Sequence, residues 1–400
     1  MALGGLSPLN TAVLIRHAAD LFRSEPWNNY ALSKTSQQTS IDVLMDKALQ
    51  WVAHAQDTVG SGGIGCYEFR GWTTGYPEVT GYMIPTFWDY YRLLARGELA
   101  HRAIRMTDWE LSVQHRGGGF ESAYEGDGQP PIVFNTGQVI RGLLRTYDET
   151  RSEKYLDAAV RAGEWIVSNQ ESDGSWSKAN YLGMKRVYDT FVTEPLVSLS
   201  QTANEPKYAA AAAANCEFAL RHQRPNGWFD LCDNGQRFRE APSTHTICYT
   251  IDGLVETGRL LEEESFVSAG LTTANKLMYL VDASGRLSGA FNSSWRPKGQ
   301  FVCLTGSAQL GVILARLYVR THQQQYLEVC RRLLDFLAYA QRVSAVGKDR
   351  TGALPGSYPV WGRYVPLKYP SWATKFFLDF LFLMRQATEA SRSEQFDVRS

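Results

Sequence analysis

Net charge, long apolar runs and paired cysteines are all missing from this chain, and each absence removes a class of function. Forty-one lysines and arginines stand against 41 aspartates and glutamates. No basic run or stripe interrupts that balance, so nucleic acid is not the expected partner. No run of about 18 apolar residues occurs; the most apolar segment, Phe376 to Met384, is too short to span a bilayer. Met1 to Leu6 offers no charged start followed by an apolar stretch, so no secretory signal is expected and the chain reads as cytoplasmic. The six cysteines (Cys66, Cys216, Cys232, Cys248, Cys303 and Cys330) are scattered without a C-x-x-C pair, as expected of buried free thiols. The histidines form neither H-x-x-x-H nor H-E-x-x-H, so no metal is expected. Gly60–Gly65 and Gly117–Gly119 lack the preceding strand that a phosphate loop requires, so no cofactor is expected.

What the chain does contain is a repeat. Glutamine, a short polar run, glycine and an aromatic recur as Gln114 to Phe120, Gln170 to Trp176 and Gln223 to Trp228. Weaker copies start at Gln56, leading to Gly62-Gly63, and at Gln341, leading to Gly352; a degenerate one surrounds Asp282 to Gly285. The glutamines from Gln56 to Gln223 lie 58, 56 and 53 residues apart. A near-constant period means one supersecondary unit used repeatedly.

Each unit reads as two helices. The first ends in the glutamine: Ile41–Gln56, Leu99–Gln114, Lys154–Gln170, Lys207–Gln223, Ser265–Leu280 and Tyr326–Gln341. Tyr155, Ala158, Ala159, Ala162, Trp165 and Ile166 show the i, i+3, i+4 spacing of a helix with one solvated face. The second helices, Thr80–Leu94, Asn135–Glu149, Asp189–Ser200, Thr246–Leu261, Thr305–Arg320 and Ser371–Arg385, are apolar on more sides, as buried helices should be. Five begin near a polar residue suited to capping: Thr80, Asn135-Thr136, Asp189-Thr190, Thr246 and Thr305. Gln138 completes a capping box with Asn135. An open stack of such hairpins needs polar terminal caps, yet the last helix, Phe376 to Phe382, is among the most apolar. The expected fold is therefore an all-α (α/α)6 toroid over residues 41–390, second helices inside. Residues 1–40 supply an extra N-terminal helix (about 12–35) and a polar connection (Ser33–Ser40), and 391–400 a polar, frayed tail.

In such a ring all inner helices present their N-termini at one mouth. Those ends carry partial positive charge and unpaired N–H groups, which suit an anion. The loops that feed them hold Arg70, Trp72 and Glu78 in the first repeat; Trp176, Arg186, Tyr188 and Asp189 in the third; Trp228, Asp230, Arg239 and His245 in the fourth; Trp295 in the fifth; Trp361 and Arg363 in the sixth. Flat apolar faces beside charged donors suit sugar rings.

The phrase at Gln170–Trp176 resembles the QW repeat of squalene and terpene cyclases and protein prenyltransferase β subunits, which are α/α-barrel proteins. Gly75 to Tyr82, Phe134 to Gln138 and Gly356 to Arg363 resemble instead a group of bacterial proteins associated with polysaccharide biosynthesis. Gly174-Ser175-Trp176 followed by Tyr188-Asp189-Thr190 is similar to the catalytic domain of glucuronyl C5-epimerases acting on heparosan-like chains. The chain lacks the Asp-x-Asp-Asp run of class II terpene cyclases, and Cys232-Asp233 has no partner set for the zinc of prenyltransferases.

The expected partner is thus an acidic oligo- or polysaccharide, and the first expectation is uronate epimerisation or lyase chemistry. That chemistry needs a base at the acidic carbon and cations at the carboxylate. Tyr188 and His245 are the candidate bases; Arg70, Arg186 and Arg363 are the candidate cations. Trp72, Tyr82, Asn135, Trp176, Trp228, Tyr249, Trp295 and Trp361 complete the candidate binding set. Glycoside hydrolysis would instead use two carboxylates, with Glu68, Glu78 and Asp189 as candidates. Two further alternatives are a terpene cyclase-like enzyme with a dry aromatic cavity and a non-catalytic glycan-binding or scaffolding protein.

Overall fold

The computed structural model describes residues 7–23, 39–235 and 241–397. Most of the connection expected at Ser33–Ser40, the latter part of the helix expected to about residue 35, and Arg239 lie outside them.

The polypeptide forms a closed double ring of helices. The outer helices are α2 (Ile41–Val59), α4 (Gly97–Val113), α6 (Glu153–Ser168), α8 (Pro206–Arg221), α10 (Glu264–Leu280) and α12 (Gln324–Ser344). The inner ones are α3 (Pro77–Leu94), α5 (Val133–Thr150), α7 (Thr193–Ala203), α9 (Thr244–Leu261), α11 (Leu304–Thr321) and α13 (Ser371–Asp397). A 3-10 turn, Val187–Val192, leads into α7. Each inner helix packs on the next, and α13 returns to α3 and α2, which closes the ring. The extra helix α1 (Pro8–Arg23) lies on α12. His17 ties it there: one ring nitrogen is 3.0 Å from Ser344 Oγ and the other 3.3 Å from the Val360 N–H.

The repeated phrase is the hinge of this closure. Gln170 Nε2 donates to the Gly174 carbonyl (3.1 Å) within its own loop and to Ala211 (2.8 Å) on the next outer helix. Gln114 does the same to Gly118 (3.0 Å) and Ala158 (2.9 Å), and Gln56 to Gly62 (3.0 Å) and Arg102 (3.2 Å). Gly174 has φ +86°, and a Cβ there would collide with the Ala214 carbonyl of α8. Gly352, in the last repeat, presses in the same way on Lys47 of α2, the first outer helix. Only glycine tolerates both that backbone and that approach. The aromatic of the phrase fills the wall: Trp176 is fully buried, its Nε1 donating to the Ile166 carbonyl (3.0 Å).

Burial follows the expected pattern. On α6 the residues Tyr155, Ala158, Ala159, Ala162 and Ile166 face inward. On α13, Phe376, Phe377, Leu378, Phe380 and Leu381 are at most 2% exposed, each contributing about 1.5–3 kcal/mol of burial. The six cysteines are buried free thiols. No described helix is long and apolar enough to cross a membrane.

Two expectations change. α3 begins at Pro77 and α5 at Val133, ahead of the expected caps, so Thr80 and Thr136 lie inside them, whereas α7 begins only at Thr193, after the Asp189-Thr190 expected to cap it. The Thr80 and Thr136 hydroxyls accept the N–H groups of Ile64 (2.9 Å) and Phe120 (3.0 Å) from the incoming loops. The residue at the α5 cap is Ile132, so Asn135 and Gln138 form no capping box; Asn135 Nδ2 instead donates to the Glu121 carbonyl (2.5 Å). The segment after Ala390 is not a separate tail, since α13 continues to Asp397.

Candidate active site

The inner-helix N-termini bring Glu78, Tyr249 and His245 together at one mouth. Glu78 is the second residue of α3, placed by Pro77, whose fixed φ suits the first helical position. His245 is the second residue of α9, whose cap is Ser243. Tyr249 lies one helical turn further on, so its ring packs against His245 with centroids 4.2 Å apart and planes tilted by 50°, while its hydroxyl reaches Glu78 Oε1 at 3.4 Å. Tyr76 donates to the other Glu78 oxygen at 2.7 Å.

These surroundings push the two titratable groups in opposite directions. Glu78 keeps an edge towards solvent, but desolvation by the aromatic rings raises its carboxyl to about 7, against hydrogen bonds from Tyr76, Tyr249 and Tyr82. Desolvation lowers His245 to about 4, opposed by its hydrogen bond to Gln309. His245 Nδ1 is 2.6 Å from Gln309 Oε1 on α11. An amide oxygen can only accept, so Nδ1 carries the proton and Nε2 the lone pair. Near neutral pH the mouth thus holds a neutral imidazole with a basic nitrogen and a carboxyl poised to give or take a proton.

Tyr364 adjoins His245, ring to ring at 5.4 Å, and lines a side pocket of about 110 Å3 with Lys298, Arg363, Ser243 and Asp233. Beneath the mouth an aromatic layer blocks the axis of the ring: Phe191 lies 4.5 Å from Tyr249, and Phe376 lies 5.9 Å from Tyr249 and 5.6 Å from Tyr82. Below that layer the axis opens into a cavity of about 390 Å3 walled by ion pairs, not the dry aromatic chamber that a terpene cyclase-like enzyme would need.

The remaining candidates are distributed as follows. Tyr188 is buried against Phe134, and burial holds its hydroxyl well above its ordinary value, so it does not ionise as a base at neutral pH. Asp189 is fully enclosed, held by Asn180 (2.5 Å), and burial raises it well above the carboxylate range. It stands in the 3-10 turn, and its carboxylate caps no helix. Glu68 pairs with Lys368 (2.5 Å) across a small sheet formed by β1 (Tyr67–Glu68), β2 (Gly71–Trp72) and β3 (Lys368–Tyr369).

Arg70 is exposed at the β1–β2 turn. Arg186 is buried, with one guanidinium nitrogen on the Asp233 carbonyl. Trp72 packs on Trp51 of the outer ring and donates to Asp349 (3.1 Å). Trp228 and Trp295 pack edge to face at 5.2 Å and, like Trp176, are at most 5% exposed. Three of the tryptophans expected to offer sugar platforms therefore have no free face; Trp176 and Trp228 seal their repeat loops, and Trp295 packs on Trp228 with its Nε1 donating to the Asn226 carbonyl (3.0 Å). Trp361 is 40% exposed but stands beside His17 of α1. Tyr82 lies in the aromatic layer, and Asn135 is fully buried under loop two.

No family model matches the chain, and no curated protein matches it. Solved structures do. The chain is similar to an unsaturated glucuronyl hydrolase specific for heparin, with TM-score 0.70 and 14% identity over 87% of this chain and 98% of that one. It is similar to a cellobiose 2-epimerase from Bacillus thermoamylovorans (TM-score 0.67, 12% identity, 85% and 97% covered). A polysaccharide lyase also matches (TM-score 0.63, 11% identity, 88% and 99% covered). The shared fold is that of carbohydrate-processing enzymes. At such identities the likeness is one of architecture, and it does not carry residue roles.

Tyr76, Lys298, Tyr364 and Gln309 belong to the site but not to the set expected from sequence; of these Gln309 is the one set among apolar neighbours. Its signal was a lone amide in the otherwise apolar run Ala308 to Ala315, a position that requires a buried partner.

Proposed function

We propose that the chain is a carbohydrate-active enzyme that binds an acidic sugar at the N-terminal mouth of its inner ring and transfers protons there. His245 acts as base and Glu78 as acid. The observation that carries this reading is the His245–Tyr249–Glu78 group, whose two titratable members are pushed apart in acidity, as an acid–base pair requires. Lys298 and Arg363, at the adjoining pocket, supply cations for the substrate carboxylate. The fold neighbours include enzymes named for glucuronyl, epimerase and lyase activities, which supports the choice of substrate class.

The carbon beside the substrate carboxylate loses its proton to His245 Nε2, and the C–H electron pair moves into the carboxylate. Glu78 then gives its proton either to the same carbon from the other face, which is epimerisation, or to the glycosidic oxygen as its bond to carbon breaks, which is elimination. The charge of a seated uronate would raise His245 towards neutrality and improve it as a base. Hydrolysis by paired carboxylates has less support, since Asp189 is enclosed and Glu68 is tied to Lys368.

The test is incubation with acidic oligosaccharides in deuterated water, read by mass and NMR. Deuterium at the carbon beside the carboxylate of an uncleaved chain, or an unsaturated cleavage product, is the expected result. Cleavage by addition of water with no exchange would move the assignment to a hydrolase. Binding with neither change would make the protein a glycan-binding one.

A further inference from the structure

A second cavity lies on the ring axis beyond the aromatic layer, along the middle and later turns of the inner helices. All six contribute to its wall, and the aromatic layer of Tyr82, Phe191 and Phe376 separates it from the mouth that holds His245. Its volume of about 390 Å3 falls within the range of small-molecule sites, ~300–1,000 Å3.

Its chemistry is unusual for a structural bore. Four cations line it, and each faces an acid: Arg145 on α5 meets Asp89 on α3 at 2.7 Å, and Arg316 on α11 meets Asp252 on α9 at 2.7 Å. Arg141 meets Glu194, and Lys375 meets Asp379 at 2.6 Å. Packed apolar side chains of similar volume would serve the helix contacts equally well or better. Here a void keeps the pairs within reach of solvent: the Asp89 side chain is 39% exposed and Arg316 31%.

We propose that this charged bore is a second ligand site, which takes a small neutral carbohydrate at the face opposite the candidate active site. A fifth acid of the wall, Asp148, is paired with Arg151 just outside it (3.4 Å), so the bore is close to charge balance. A ligand of one sign would have to displace one partner of a pair or lie against its like charge, and both are costly. A hydroxyl group donates and accepts at once, so it can bridge a carboxylate oxygen and a guanidinium N–H without separating them. The floor of Phe191 and Phe376 gives the C–H face of a sugar ring an apolar surface. The bore is therefore complementary to a neutral mono- or disaccharide, whereas the mouth is suited to an acidic one.

The experiment is calorimetric titration of the purified chain with cellobiose, glucuronate and glucosamine, repeated on Ser198→Trp, Asp89→Asn and Glu78→Gln. Ser198 is half-buried on the cavity wall, so tryptophan there fills the space; Asp89→Asn keeps the shape but removes a charged acceptor. Melting temperatures verify that the variants fold, and the neutral-against-charged comparison on the unsubstituted chain stands without them.

The expected result has four parts. Cellobiose binds the unsubstituted chain; Glu78→Gln binds it equally well; both bore variants bind it roughly tenfold or more weakly, a change of about 1.4 kcal/mol; glucosamine does not compete. The proposal is overturned by any of three results: no cellobiose binding up to about 20 mM, equal competition by glucosamine, or loss of binding in Glu78→Gln while the bore variants retain it.

Discussion

Gln309 Oε1 stands 2.6 Å from His245 Nδ1, both side chains buried, one from α11 and the other from α9. That contact decides which nitrogen of the imidazole keeps the basic lone pair. Removing it in Gln309→Leu frees the ring to take the other tautomer. Turnover on a responsive acidic glycan should fall by roughly 100-fold, within the range attributed to one acid–base group, with KM little changed. Gln309→Glu should keep the tautomer and raise the His245 pKa above 4, visible in the NMR titration of its ring proton. A purely structural Gln309 would alter stability in both variants and leave that titration in place.

The opposite displacements of His245 and Glu78 predict a bell-shaped rate profile. The base must be unprotonated and the acid protonated, so kcat/KM should rise through about pH 4 and fall through about pH 7. Tyr249→Phe removes a hydrogen bond that lowers Glu78, so its alkaline limb should move above pH 7. A limb that stays in place would show that the fall arises from another group.

Stability should carry the same signature with a definite sign. His245 goes from 6.5 when exposed to about 4 in the fold, so the unfolded chain binds the extra proton between those values. Stability from this group is present above pH 6.5 and is lost as pH falls towards 4, by on the order of 3 kcal/mol. Glu78 acts in reverse: its contribution is present below 4.5 and is lost as pH rises through about 7. The difference between the urea midpoints of the unsubstituted chain and His245→Asn should therefore change most between pH 4 and 6.5, where the unsubstituted chain has the steeper slope.

Substitutions in the repeat should affect stability and leave substrate affinity alone. Gly174→Ala forces a Cβ into the Ala214 carbonyl at φ +86° and should cost roughly 2–4 kcal/mol. Trp176→Ala empties a fully buried site and should cost about 3–5 kcal/mol. Both are read as denaturation midpoints. A raised KM with unchanged stability in Trp176→Ala would return that residue to the ligand surface.

The ring itself was legible before any coordinates, and for a local reason. Gln170, Gly174 and Trp176 act within one loop and on the adjacent helix, so their spacing writes the hairpin into the sequence; repetition and the apolar last helix then imply closure. That Glu78, His245 and Tyr249 lie near inner-helix starts was also legible, since those starts share one mouth by symmetry; that these three meet, rather than Tyr188 with His245, was not. What symmetry does not determine is which way a loop side chain turns. Trp228, Trp295 and Arg186 share their loops' polar company, yet they turn into the walls, since each wall has a volume that only a large buried side chain fills. The partnership of Gln309 with His245 joins residues 64 apart in sequence. The charged bore joins acids and bases from different inner helices. Sequence period therefore determined the architecture and the location of the mouth. Tertiary packing decided which groups there are desolvated and which partners they meet, and so their chemistry, because both depend on contacts between helices that no local pattern encodes.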